Sequence, residues 1–88
     1  MKLKKGFVLR TVGNENVVVT IGEASLLLNG IINLNDSAAF LWRTLSSGAD
    51  EKQMEKALQL EYNISAEEAR EGVHAFICRM KEIGCVED

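Results

Sequence analysis

Two cysteines, Cys78 and Cys85, are too few to build the disulfide framework of a small secreted domain. Histidine occurs once, as His74, so the multi-histidine constellations of metal and acid–base sites have little material. No apolar run approaches the roughly 20 residues that cross a bilayer. The basic start, Met-Lys-Leu-Lys-Lys-Gly, is followed by no apolar h-region or cleavage site, so export is not expected. Gly-x-Gly and Gly-Lys-Ser/Thr phosphate loops are absent, as are repeats, linkers and low-complexity tracts. The expectation is a soluble, cytoplasmic chain with no cofactor, no metal and no membrane partner.

What is present suffices for one core. The 88 residues are 47% hydrophobic and 26% charged, too apolar for intrinsic disorder and long enough for a single domain spanning 1–88. The net charge of −3 is unevenly spread. Residues 1–48 carry five basic side chains against three acidic ones, whereas residues 49–88 carry five against ten. A nucleic-acid binder shows a basic face that neutralises phosphates, and the acidic second half speaks against one.

Residues 7–12 and 17–21 are rich in β-branched and aromatic residues, and the polar Gly13-Asn14-Glu15-Asn16 between them reads as the loop of a hairpin. A third apolar stretch, Leu26 to Leu34, is interrupted by Asn29-Gly30, which fits either a bulge in one strand or a tight turn between two. The bulged strand is favoured. After Leu34 the period changes to helical. Asn35 is a good N-cap with Asp36 in the first turn, Ala39, Phe40, Leu41, Trp42 and Leu45 form an apolar face, and Ser46-Ser47-Gly48 ends the helix.

Asp50 with Gln53 forms a capping box for a second helix, whose apolar side is Met54, Ala57, Leu58 and Leu60. Ser65-Ala66-Glu67-Glu68 opens a third, with Ala69, Val73, Phe76, Ile77, Met80 and Ile83 stacked on one face and Gly84 at its end. Cys85-Val86 is expected to add a last short strand or simply to dock. The order predicts an α+β fold, a three-stranded antiparallel sheet followed by three helices.

Chemistry has few candidates. His74 and Cys78, four apart on the third helix, could reach one metal with Cys85 as a third ligand, but Cys-x6-Cys with one histidine departs from structural zinc spacings. Solvated His74 and two incidental thiols are the simpler reading. The acids at Glu67, Glu68 and Glu71 serve the helix start. The chain reads as no enzyme. Recognition remains, and its physical basis is a sheet edge with unpaired backbone groups. The uncharged stretch from Leu26 could accept an extended peptide as a further strand, or a helix or the C-terminus could cover it.

Leu34-Asn35-Asp36-Ser37-Ala38-Ala39-Phe40-Leu41-Trp42-Arg43-Thr44-Leu45 resembles the Leu-Asn-x-x-(Gly/Ala)-Ala-x-(Ile/Leu)-Trp-x-x-Leu signature of the PqqD-like family, the pyrroloquinoline-quinone synthesis protein D homologues. Val17-Val18-Val19, Leu28-Asn29-Gly30, Tyr62-Asn63-Ile64-Ser65 with Glu68-Ala69, and the terminal Ile83-Gly84 are similar to it too. Ala38 stands where many members have glycine. The resemblance implies a winged helix-turn-helix-like fold acting as a non-catalytic chaperone that binds the leader segment of a precursor peptide. The partner enzyme would be a radical S-adenosylmethionine protein or another peptide-modifying enzyme.

Carried onto this chain, the leader would add beside Leu26, Leu27, Leu28, Asn29, Gly30, Ile31 and Ile32. The groove wall would be the third-helix flank of Arg70, Val73, His74, Ile77 and Lys81. Pyrroloquinoline quinone as the product is not implied, because similar domains serve unrelated peptides. The rival readings are a winged-helix nucleic-acid binder, whose third helix would hold three basic residues against four acidic ones, and a self-pairing dimerisation module. The expected state is a monomer or weak dimer with no nucleic-acid partner.

Overall fold

The computed structural model describes residues 1–22 and 31–87. Leu26, Leu27, Leu28, Asn29 and Gly30, and with them the choice between bulge and turn, lie outside the described residues. Strand β1 (Lys2–Leu3) comes first, followed by β2 (Phe7–Val12), β3 (Glu15–Thr20) and β4 (Ile32–Leu34). Helices α1 (Asp36–Ser46), α2 (Glu51–Tyr62) and α3 (Ala66–Ile83) follow, and β5 (Val86–Glu87) closes the chain. The antiparallel sheet has the order β2-β3-β4, so the α+β arrangement with three helices behind a three-stranded meander is observed.

The hairpin is tighter than the sequence suggests. Val12 pairs with Glu15, leaving Gly13-Asn14 as the two-residue loop, with Gly13 at φ +61° as the first position of such a loop requires. Asn16 therefore sits in β3 and is buried. Its amide meets partners there: Thr11 Oγ1 donates to Asn16 Oδ1 at 3.3 Å, and Asn16 Nδ2 donates to Asp36 Oδ1 at 3.1 Å. A polar residue that looks like loop is thus a strand residue tied to the first turn of α1.

All three helix starts are capped by the residues the sequence points to. Asn35 Oδ1 accepts from the Ala38 amide at 2.8 Å, and the Asp50–Gln53 and Ser65–Glu68 boxes are both closed reciprocally. Helix α3 ends at Gly84, at φ +89°, whose amide returns to the Met80 and Lys81 carbonyls. That reversal sends Cys85 and Val86 back across the molecule. Leu3 pairs with Val86 and Lys2 with Glu87, a two-stranded ladder joining the two ends of the described chain.

One core unites the layers. Phe7, Val18, Ile32 and Leu34 from the sheet meet Leu41, Trp42 and Leu45 of α1, Met54 and Leu58 of α2, and the face of α3 holding Ala69, Val73, Phe76, Ile77 and Met80. Leu60, counted above on the apolar side of α2, is 85% exposed, because a position two beyond Leu58 turns about 200° round the helix. Phe40 is half-buried and meets the Tyr62 ring edge-on, 5.9 Å between centroids. Trp42 is 3% exposed in the middle of this core. Trp42→Ala should lower unfolding stability by about 3–5 kcal/mol, read from denaturant melts followed by far-UV circular dichroism. A loss below about 1 kcal/mol would mean that the indole does not carry core packing.

Candidate functional site

The site follows from which way one backbone unit points. The Ile21 amide donates to the Gly6 carbonyl at 2.8 Å, which sets the phase of the β2–β3 ladder. Bonded and non-bonded pairs alternate along an antiparallel ladder, so Arg10↔Val17 exchanges bonds and Val17 has its polar groups turned to β2. Across the other side of β3, Val17 faces Asn33. That pair is consequently non-bonded, and the Asn33 N–H and C=O point away from β3, to the side of β4 where no strand pairs among the described residues. Ile32 and Leu34 bond to β3 and turn their side chains into the core, 8% and 4% exposed.

Helix α3 borders this edge. Arg79 Nη2 donates to the Asn33 carbonyl at 3.4 Å, a long bond spanning 46 residues of sequence. On the same flank of α3, Gly72, Ala75 and Phe76 line a cavity of about 290 Å³ with Asn35, Ala38 and Leu41 of the β4–α1 corner and Leu58 of α2. The absence of a side chain at Gly72 brings α2 close, since a Cβ there would stand 3.3 Å from Leu58 Cδ2. Edge, cation and apolar cleft are therefore adjacent.

The flank named from the sequence is distributed differently. Val73 and Ile77 are 1% and 4% exposed and belong to the core, so their side chains offer no surface. They lie at the centre of the apolar face, where α3 packs on the rest of the fold. Arg70 and His74 are exposed and line a separate hollow with Glu51, Glu55 and Glu71. Lys81 is exposed in the last turn of α3, and Ile31 is 65% exposed just before β4. Arg79 lies outside the flank expected from the sequence, because α3 has two polar flanks and spacing alone does not say which of them meets the sheet.

With the geometry in place, comparison with known proteins decides the family. The family model described as "Coenzyme PQQ synthesis protein D (PqqD)" matches residues 15–86. The chain belongs to the PqqD family. No curated protein sequence matches it. Among solved structures, "Lasso peptide synthetase B1 complexed with the leader peptide" superposes with a TM-score of 0.80 at 21% identity, covering 99% of this chain and 96% of the other. "TbiB1 in Complex with the TbiA(beta) Leader Peptide" gives 0.75 at 18% identity, over 99% and 100%. At these identities the likeness is one of fold, and it extends over 99% of this chain.

Reactive side chains are few in this PqqD chain. His74 Nε2 and Cys78 Sγ lie 3.5 Å apart on the exposed side of α3, and among the described residues no cluster of three or more His, Cys, Asp or Glu could hold a metal. No helix among the described residues is long and apolar enough to cross a membrane. Cys85 is fully buried against Met80, and desolvation pushes its thiol pKa up, with a backbone hydrogen bond and the Lys4 charge opposing more weakly.

Cys85 should therefore stay protonated and inert where Cys78 reacts. Alkylation of the native protein near pH 8 should label Cys78 alone, with Cys85 labelled only in denaturant; equal labelling would mean that the α3–β5 turn opens. The edge has its own test in amide exchange. The Asn33 amide should exchange at least about tenfold faster than those of Ile32 and Leu34. Equal protection of all three would mean that the edge is already paired.

Proposed function

We propose that the protein binds the leader segment of a ribosomally made precursor peptide as an added strand along β4 and presents it to a modifying enzyme. The outward-facing Asn33 backbone unit, bordered by α3 and paired with no other strand among the described residues, carries this reading. Main-chain bonds to such an edge give affinity for an extended chain, and side chains along the border give selectivity. Membership of the PqqD family supports it. So do the two solved structures of the same fold, each described with a leader peptide bound.

The binding surface in this reading is the β4 edge from Ile31 to Asn33, extended by the stretch Leu26–Gly30, and the α3 flank of Arg79, Ala75 and Phe76. The role is non-catalytic, with the chemistry left to the partner enzyme, a radical S-adenosylmethionine protein or another peptide modifier. The reading puts the protein in the cytoplasm, where its free thiols stay reduced. DNA binding has less behind it. The outer surface of α3 carries Glu67, Glu68, Glu71 and Glu82 beside its three basic residues, a poor match to phosphate.

The test uses synthetic leader segments of the short precursor-like peptides encoded beside the gene, titrated into isotope-labelled protein. One of them should bind with a Kd below about 10 µM, slow Asn33 amide exchange, and shift resonances along β4 and the C-terminal half of α3. Binding that perturbs only the α2–α3 hollow, or no binding by any segment alongside salt-sensitive DNA binding, would overturn the reading.

A further inference from the structure

Arg79 is the feature of the edge that strand addition by itself does not explain. Sheet edges are blunted by charged side chains, and here the blunting is specific: a guanidinium donates to the outward-facing Asn33 carbonyl, which an added strand would need. At 3.4 Å the bond is long, and a strand amide at the usual 2.9 Å would replace it to advantage. Arg79 itself is exposed, and one carbonyl engages one of its five N–H donors.

The pleat then places the side chains of an incoming strand. A peptide residue opposite Asn33 exchanges both backbone bonds with it and shares its outward face. The two peptide residues flanking that one share the face of Ile32 and Leu34, which is turned toward the helices. Their side chains are delivered to the α3 flank, where Arg79 stands beside the cleft of about 290 Å³ lined by Ala38, Gly72, Ala75 and Phe76. A displaced guanidinium there meets whatever those positions carry. A carboxylate satisfies it with two parallel bonds, whereas an apolar side chain suits the cleft.

We propose that Arg79 is a selector for acidic peptides: it covers the Asn33 carbonyl in the free protein and transfers to an Asp or Glu beside the residue that pairs with Asn33. The inference rests on the strand-addition reading and adds the chemical class of the ligand. It also disfavours indiscriminate pairing along β4. An incoming strand without an acid displaces the cation and leaves it no anionic partner, so self-pairing through an uncharged edge is disfavoured.

The probe is a display library of random 12-residue peptides, selected in parallel on the wild-type protein and on Arg79→Gln. Arg79 is exposed, so the variant should fold, and matching thermal melts confirm it. Wild-type selection should enrich Asp or Glu at one register position, and selection on Arg79→Gln should lose that enrichment while still returning extended binders that protect the Asn33 amide. Replacing the enriched Glu by Gln in one selected peptide should weaken wild-type binding about tenfold and Arg79→Gln binding less than about twofold. Binders that protect Asn33 with the same acid content on both proteins would overturn the role of Arg79 and leave strand addition standing. Failure to select any binder that protects Asn33 would overturn both.

Discussion

Antiparallel alternation is the constraint from which the edge follows. A strand residue has one N–H and one C=O, and in a flat ladder both point to the same side. Once the Ile21–Gly6 bond fixes the phase, Val17 is committed to β2, and Asn33 cannot reach β3 however well β4 packs. The buried side chains of Ile32 and Leu34 lock the register from the other direction. A slip of one residue would put both into water and Asn33 into the core. The outward aim of one peptide unit is thus held by the hydrophobic pattern of a three-residue strand. That strand is too short to slide, because Asn35 begins capping α1 immediately after it.

Helix α3 is the element against which this edge is defined. Its apolar face runs from Ala69 to Ile83 and leaves Ala69, Val73 and Met80 at 1% exposure or less. A helix so firmly seated presents its two polar flanks at fixed places. One flank, with Arg70 and His74, looks toward the acids of α2, and the other, with Arg79, looks toward β4. The reversal at Gly84 and the β1–β5 ladder pin the far end. The position of the Arg79 side chain relative to Asn33 therefore depends on core packing rather than on a surface ion pair, which would hold it only weakly.

The parts legible in the sequence are those governed by local chemistry. Caps at Asn35, Asp50 and Ser65 and the apolar periodicity of α3 need no knowledge of the rest of the chain, and they stand as read. Asn16 reads as loop in the sequence because its place in β3 depends on Asp36, 20 residues away, and on Thr11 across the hairpin. Strand β1 has only two residues, too few for any period, and is a strand only because Val86 comes back to it. The α3 flank is divided in the structure for a related reason. Helical spacing separates Arg70, His74 and Lys81 from Ala75 and Arg79, but the crossing of helix and sheet decides which set borders the edge. Val73 and Ile77 are apolar, which suits a groove wall, yet the same property seats them in the core.

A backbone edge is a tolerant receptor, since every peptide offers the same N–H and C=O groups. Selectivity must come from what stands beside the edge, and on this fold that place belongs to α3. The flank that meets β4 is small at Gly72 and Ala75, aromatic at Phe76 and charged at Arg79, so it combines room, apolar surface and a directional cation within two turns. Core packing fixes where that flank stands and leaves open which residue types it carries. The outward-facing Asn33 peptide unit marks where an added strand would pair, and the few side chains across from it are what such a strand would meet.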